Sequence, residues 1–460
     1  MGFINIVLAL IFTLGLAMTI HEFGHYIVAR WLKIRVEIFS FIGIGPRVWG
    51  FKRGHTDYRL SLIPLGAYVK LGGDESNSTI EGGASAEDIP DAENFMLRPK
   101  WQKIAVALGG PVANILTAFT IPFVAALIFG VSTPPPSSPK VLQVAANGAA
   151  EAAGFQPGDR IVNFAGKENP SWDEIEETAL LLPKEPKPLA FIVERNGQRV
   201  SLNATPKALK IGSDEIGELG MTPDYGPEYG VVLNTISQTG AAARGGLQAG
   251  DKLLAVNDQP VRTSAQATQI VRAVKDPNIK IAVERQGQKL ELTSPLDQVK
   301  DEQTGQMVGR LGVTMANAGP IKKASLVGAA GYAVDTNWRI IRLTGRALGQ
   351  VFSGERSARN TVSGPIGIAR AAAQAAEGGI ASVIGMLGFL SLNLGVFNLF
   401  PIPVLDGGTI FILLIEGFLG LFGVGLTLKL RERIQAVGMV ALLLLMGFVI
   451  TNDVLKLFTN

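Results

Sequence analysis

The sequence predicts an α-helical polytopic membrane protein, with four transmembrane helices, a membrane-associated β-loop and two inserted α+β domains. Three observations predict it. The chain has 460 residues, 47% hydrophobic and 18% charged, and its mean hydropathy is +0.28. That is too apolar for an ordinary soluble protein and too charged for membrane throughout. Four apolar stretches reach or approach spanning length. Between the second and third lies a duplication with a period of about ninety residues, the size of a small domain. The net charge of +3 is small and dispersed, which argues against a nucleic-acid partner. There is no cysteine, so disulfides and thiolate metal sites are excluded. Only three histidines are present, His21, His25 and His55.

The N-terminal membrane part spans 1–131. Its first helix, about 4–28, is apolar and ends in His21-Glu22-Phe23-Gly24-His25. Met1 to Asn5 carries no Lys or Arg and no small-residue cleavage site follows, so the stretch reads as a retained helix. Positions i and i+4 of a helix share a face, so His21 and His25 point the same way and can ligate one Zn²⁺. Glu22 lies one step round, placed to take a proton from water. A carboxylate at that depth is costly unless it has a function or a partner.

The β-loop, about 34–73, contains two runs that alternate apolar and polar, Ile34 to Phe41 and Tyr58 to Leu71. Gly43, Gly45-Pro46 and Gly54 are read as turns. The loop is either a stabilising hairpin or an edge to which an extended peptide adds. His55, in KRGHTD, reads as a solvated loop residue. Arg30, Lys33, Arg35, Arg47, Lys52, Arg53, Arg59 and Lys70 place this loop in the cytoplasm. Lys429, Arg431 and Arg433 do the same before the fourth helix. Residues from about Ser132 to Gly379 then face outward. Ser76 to Asp91 reads as a flexible connector. The second helix is expected at about 104–131, followed by a stiff linker, Thr133 to Pro139.

The duplicated modules are expected at 140–222 and 223–316. Ala149 to Ile161 matches Ala241 to Leu253, and Glu194 to Leu202 matches Glu284 to Leu292. Each copy holds a helix, a Gly-Asp turn, a strand, a second helix and a hairpin around Asn196-Gly197 or Gln286-Gly287. That content resembles PDZ domains, whose groove takes a peptide as an added strand. The modules either bind peptide C-termini or serve as spacers. Residues 324–375 form an amphipathic segment, lying on the outer membrane surface or packed on the second module.

The C-terminal membrane part, 380–460, has a third helix at about 380–402 and a fourth at about 436–452. The third ends in Asn398-Leu-Phe-Pro401-Ile-Pro403-Val-Leu-Asp406-Gly407-Gly408. Its prolines break the helix and free carbonyls that a lipid-facing segment cannot leave unpaired. A catalytic zinc takes three protein ligands and keeps one position open. Asp406 is either the third ligand or the cap of the following helix. The alternative for Asn398 is to satisfy freed backbone groups.

HExxH in the first helix, NxxPxPxLDG in a later one and PDZ-like modules between them resemble the site-2 protease family of intramembrane zinc metalloproteases. GGPVAN (Gly109 to Asn114) and SGPIGIA (Ser363 to Ala369) extend the likeness over nearly the whole chain. The resemblance implies zinc held by His21, His25 and Asp406, with Glu22 as general base. It also implies that Asn398, with Asn393, steadies the substrate backbone or the oxyanion. It makes the β-loop a membrane-reentrant, substrate-contacting element. By the same resemblance the location is the bacterial inner membrane, with the active site cytoplasmic and the PDZ-like modules periplasmic. The partners implied are the lipid bilayer and a single-span substrate such as a pre-trimmed anti-sigma factor, with remnant signal peptides as a further class. Relatives often continue DGG with histidine, where Thr409 stands here. The alternatives are a protease acting on soluble cytoplasmic polypeptides and a membrane-anchored PDZ scaffold with a structural metal.

Overall fold

The computed structural model describes residues 3–63, 66–73, 89–133, 136–181, 183–211, 214–226, 228–301, 305–423 and 427–458. Helices α1 (Phe3–Trp31) and α2 (Lys100–Phe129) cross at a glycine contact. A Cβ added to Gly24 would sit 2.1 Å from the Gly109 carbonyl oxygen, and one added to Gly109 would sit 2.6 Å from that of Gly24. Only glycine lets the two backbones meet this closely. The crossing lies inside HExxH, so it sets the histidines against α2.

Between these helices, β1 (Val36–Ile42), β2 (Ile44–Arg53), β3 (Thr56–Ile63) and β4 (Tyr68–Leu71) form one sheet in the order β2-β3-β1-β4. This revises the sequence reading twice. The run from Tyr58 to Leu71 is two strands, interrupted where Gly66 takes φ +94°. Gly45-Pro46, expected in a turn, lies within β2, whose register against β3 shifts between Ile44 and Arg47. A bulge tolerates a proline that has no N–H for the ladder. The sheet is fastened to α1 by aromatic rings. Phe23 lies 6.1 Å from Phe39, Tyr26 lies 5.1 Å from Phe39 and 6.1 Å from Tyr58, and the two tyrosine hydroxyls are 2.6 Å apart. On β2 and its neighbour β3, Val48, Trp49 and Leu62 remain 63–64% exposed. The expected connector Ser76 to Asp91 lies outside the described residues except at 89–91.

Beyond α2, β5 (Val131–Ser132) leads into two modules of one topology. The first contains β6 (Lys140–Val144), β7 (Arg160–Phe164), α3 (Trp172–Leu180), β8 (Leu189–Arg195), β9 (Gln198–Ala204) and β10 (Met221–Asp224), in sheet order β9-β8-β7-β6-β10. The second contains β11 (Gly230–Ile236), β12 (Lys252–Val256), α4 (Ser264–Ala273), β13 (Asn278–Arg285), β14 (Gln288–Pro295) and β15 (Val313–Ala318), in the matching order β14-β13-β12-β11-β15. Each has its own apolar core, one around Ile161, Ile175 and Phe191, the other around Leu233, Ile279 and Ile281. A buried ion pair is also duplicated. Arg195 grips Asp159 through two 2.7 Å bonds, and Arg285 grips Asp251 through two more of 2.7 Å. The hairpin turns hold Asn196 and Gly197 at φ +50° and +78°, the left-handed pair that a tight two-residue turn requires.

The insert closes on itself, because β16 (Ile321–Lys322) pairs antiparallel with β5. Thr133, at the start of the expected stiff linker, is tied into the same junction by donating its N–H to the Pro320 carbonyl (3.1 Å). The segment 324–375 is not one surface element. It forms α5 (Leu326–Phe352), a short helix Ala358–Thr361 and α6 (Pro365–Glu377). The ion pairs of α5 run to the first module rather than the second. Arg339 bonds Asp173 (3.0 Å) and Glu177 (2.6 Å), and Arg342 bonds Glu177 (3.0 Å), all on α3 of the first module. On its other side, buried Asn337 donates to the Ala118 carbonyl of α2 at 3.1 Å. Pro122 has no N–H to offer that carbonyl, so Asn337 supplies the missing donor.

The chain then runs through α7 (Ile380–Asn398), α8 (Asp406–Gly420) and α9 (Leu428–Phe458). The third apolar helix therefore stops at 398, short of the expected 402, and the last is longer at both ends. Among the described residues, α2, α7 and the Arg433–Lys456 part of α9 are long and apolar enough to cross a membrane. Buried Asp453 of α9 accepts from the N–H groups of Gly364, Ile366 and Gly367 at 3.0 to 3.2 Å. A carboxylate there satisfies the open donors at the start of α6. Arg431 of α9 pairs with Glu416 of α8.

Candidate active site

His21 and His25 stand one turn apart on α1 with their Nε2 atoms 3.2 Å apart. Asp406 reaches them from the far end of the sequence. After α7 ends, the chain turns through Pro401 and Pro403, with Val404 at φ +87°. A β-branched residue there is strained by roughly 1–3 kcal/mol, which the surrounding packing must hold. The turn starts α8 with Leu405 at the cap position and Asp406 as the first helical residue. Its Oδ2 lies 3.0 Å from His21 Nε2 and its Oδ1 lies 3.5 Å from His25 Nε2. The cluster is largely enclosed, the three side chains being 9%, 12% and 21% exposed.

Three residues of α2, spaced four apart and so on one face, receive the imidazoles. Val106 O lies 2.7 Å from His25 Nδ1, which therefore carries the proton and donates. Gly110 provides space, since a Cβ there would fall 2.4 Å from His25 Nε2 and 2.7 Å from His21 Nε2. Asn114, fully buried, places its side-chain amide 3.3 Å from His21 Nδ1. The Glu22 carboxylate accepts from the Val69 N–H of β4. One of its oxygens and one ring nitrogen of each histidine lie within 4.8 Å of one another.

A family model described as Peptidase family M50 matches residues 9–445. The regulator of sigma-E protease RseP of Escherichia coli is 32% identical over 465 residues, covering 97% of this chain and 98% of that one. A putative zinc metalloprotease of Vibrio cholerae is 31% identical over 470 residues, covering 98% of each. The chain belongs to peptidase family M50, the site-2 proteases. A PDZ domain of an SdrC-like protein from Listeria monocytogenes covers 19% of this chain and 86% of its own, at 18% identity and TM-score 0.16. A score that low says nothing of the fold.

As an M50 peptidase the chain is a zinc metalloprotease embedded in a membrane. Its donor set fits zinc. Ligands 2.0–2.1 Å from a tetrahedral ion lie roughly 3.3 Å from each other, and the three separations here are 3.0, 3.2 and 3.5 Å. Two neutral imidazoles and one carboxylate are also the donor types of a hydrolytic site. Asn398 ends α7, and its side chain makes no hydrogen bond among the described residues. Asn393 makes a local bond. Its Nδ2 donates to Phe389 O at 2.8 Å, one turn back on its own helix. His55 is exposed on the turn between β2 and β3. Thr409 makes an ordinary helical bond to Leu405 O at 3.1 Å. The sequence reading passed over Asn114 as a candidate site residue. The available signal was a polar residue inside an apolar helix, four after Gly110.

Proposed function

We propose that this M50 peptidase cuts a peptide bond in or near the transmembrane segment of a single-span protein, through a zinc site made by His21, His25 and Asp406. The observation that carries the reading is the convergence of these three donors from positions 385 residues apart in sequence. When bound, zinc supplies the Lewis acidity that polarises a peptide carbonyl and acidifies water. The remaining chemistry belongs to the chain. Glu22 takes the proton of the attacking water and returns it to the departing amine. The Val69 N–H holds the Glu22 carboxylate in place. Asn398, at the broken end of α7, is free to bond the substrate backbone.

A helical substrate hides its amides in its own hydrogen bonds and must unwind before it is cut. Strand β4 is an edge of its sheet and lies beside Glu22. A freed substrate strand that adds to this edge regains the bonds it has lost. In the RseP-like role, the substrate is an anti-sigma factor trimmed on its outer side, with remnant signal peptides as a second class. In this reading the chain has four membrane spans, counting α1, with the active site at the cytoplasmic side of a bacterial inner membrane and both PDZ-type modules outside. The basic residues of the β-loop support that orientation.

The test is mass spectrometry of membrane-embedded products from the parent enzyme and from Glu22→Gln. The parent should cut within or beside the span, and Glu22→Gln should retain zinc while losing about 10²–10⁴-fold in rate. Cleavage by Glu22→Gln at the parent rate contradicts the general-base role. A scaffold with a structural metal predicts no product from either protein.

A further inference from the structure

We propose that Asn114 is a positioning residue of the metal centre, whose amide oxygen accepts from His21 Nδ1–H and so keeps the Nε2 lone pair free for the ion. The inference rests on the zinc reading of His21, His25 and Asp406 and adds a residue to it.

A histidine that ligates through Nε2 must carry its proton on Nδ1, and a partner on Nδ1 fixes both tautomer and ring orientation. His25 has that partner in Val106 O at 2.7 Å. His21 Nδ1 has Asn114, with Nδ2 at 3.3 Å. In that orientation the amide donates, which puts the His21 proton on Nε2, the atom facing Asp406. Asn114 Oδ1 meanwhile is buried without a hydrogen-bond partner among the described residues. A half-turn of the amide, whose oxygen and nitrogen have nearly the same shape, brings the acceptor to Nδ1. The same half-turn satisfies the oxygen and frees Nε2.

The surroundings make this a held contact. Asn114 has no exposed surface, and Gly395 of α7 packs over it so closely that a Cβ there would lie 3.3 Å from Asn114 Cβ. Full burial favours the amide turning in place over swinging to a new site. Val106, Gly110 and Asn114 then form a single stripe of α2 that orients one ring, makes room for both and orients the other.

The experiment is a chelator-competition measurement of zinc affinity on the purified full chain, for the parent, Asn114→Leu and Asn114→Asp. An ionised aspartate can only accept, whereas leucine fills similar volume and can do neither. Asn114→Leu should lose about 10–100-fold in zinc affinity, and Asn114→Asp should stay close to the parent. Leucine binding as tightly as the parent overturns the inference. So does aspartate losing as much as leucine, because the amide would then be needed as a donor. A second measurement needs no change at position 114. With only three histidines in the chain, ¹⁵N spectra of zinc-loaded protein, with His55→Gln for assignment, should show protonated Nδ1 on both His21 and His25. A bare Nδ1 on His21 overturns the proposal. If the parent itself binds no zinc through its histidines, the underlying metal reading fails, which is a different outcome from either variant result.

Discussion

Gly110 shows how little room the site leaves. Its missing side chain is the space in which two imidazoles approach α2, and a methyl group would overlap both Nε2 atoms at 2.4 and 2.7 Å. Gly110→Ala should therefore keep the fold, because the helix favours alanine over glycine by about 1 kcal/mol, yet lose zinc. Zinc per chain measured by elemental analysis checks this, and a full complement in Gly110→Ala would contradict the packing. The sequence made the metal-ligating types legible here. Spacing put His21 and His25 on one face, and the absence of cysteine with only one other histidine turned attention to carboxylates. Gly110 and Asn114 were not legible as site residues, because their importance lies in what faces them across a helix crossing. Asn393, named by the family resemblance, uses its Nδ2 on the Phe389 carbonyl one turn back on its own helix, the local bond that an amide in a helix commonly makes.

The modules carry an electrostatic pin that acts at the level of the element. Burial pushes the Asp159 carboxyl upward, but hydrogen bonds from Arg195 and the Gln156 N–H, with the Arg195 charge, outweigh it and hold the pKa below the ordinary 3.8. Asp251 is held down in the same way by Arg285 and the Gln248 N–H. Both pKa values are lower in the folded module than in the unfolded chain. The stabilisation is therefore fully present above about pH 4 and is lost as pH falls through the lowered folded values. Arg195→Met leaves a buried carboxylate unpaired and should cost about 3 kcal/mol at neutral pH. The deficit should shrink on acidification as Asp159 takes a proton. Urea denaturation of residues 139–318 across pH checks both points, and a pH-independent deficit would contradict the pairing. The Gly-Asp turns and the Asn196-Gly197 hairpin were legible because local backbone conformation selects those residues. Strand β2 was missed because its Gly45-Pro46 reads as a turn until a partner strand absorbs it as a bulge. The docking of α5 on α3 was missed for a related reason. An amphipathic face is visible in sequence, but the surface it meets is not.

Across the whole molecule, the insert between α2 and α5 leaves and returns through one two-residue ribbon, β5 with β16. Arg339 and Arg342 then tie its first module to a helix that also contacts α2 through Asn337. The insert is thus joined to the helices at its ribbon and, through its first module, at α5. If the two modules act as a size filter, deleting 139–318 should let the enzyme cut a substrate that still carries its bulky outer domain. Cleavage of trimmed and untrimmed reporters measures this, and unchanged selectivity would rule the filter out. The apolar helices were readable from length and hydropathy, whereas the meeting of α1 with the start of α8 was open in the residues, where Asp406 read as ligand or cap, and came from the family resemblance, since no pattern in either stretch encodes the other. That meeting is also the central claim. X-ray absorption at the zinc edge of the loaded enzyme tests it most directly, compared between the parent and Asp406→Ala. The parent should show two imidazole nitrogens with oxygen donors at roughly 2.0–2.2 Å, and Asp406→Ala should lose an oxygen donor or the metal itself. An unchanged spectrum with full occupancy in Asp406→Ala would contradict the account.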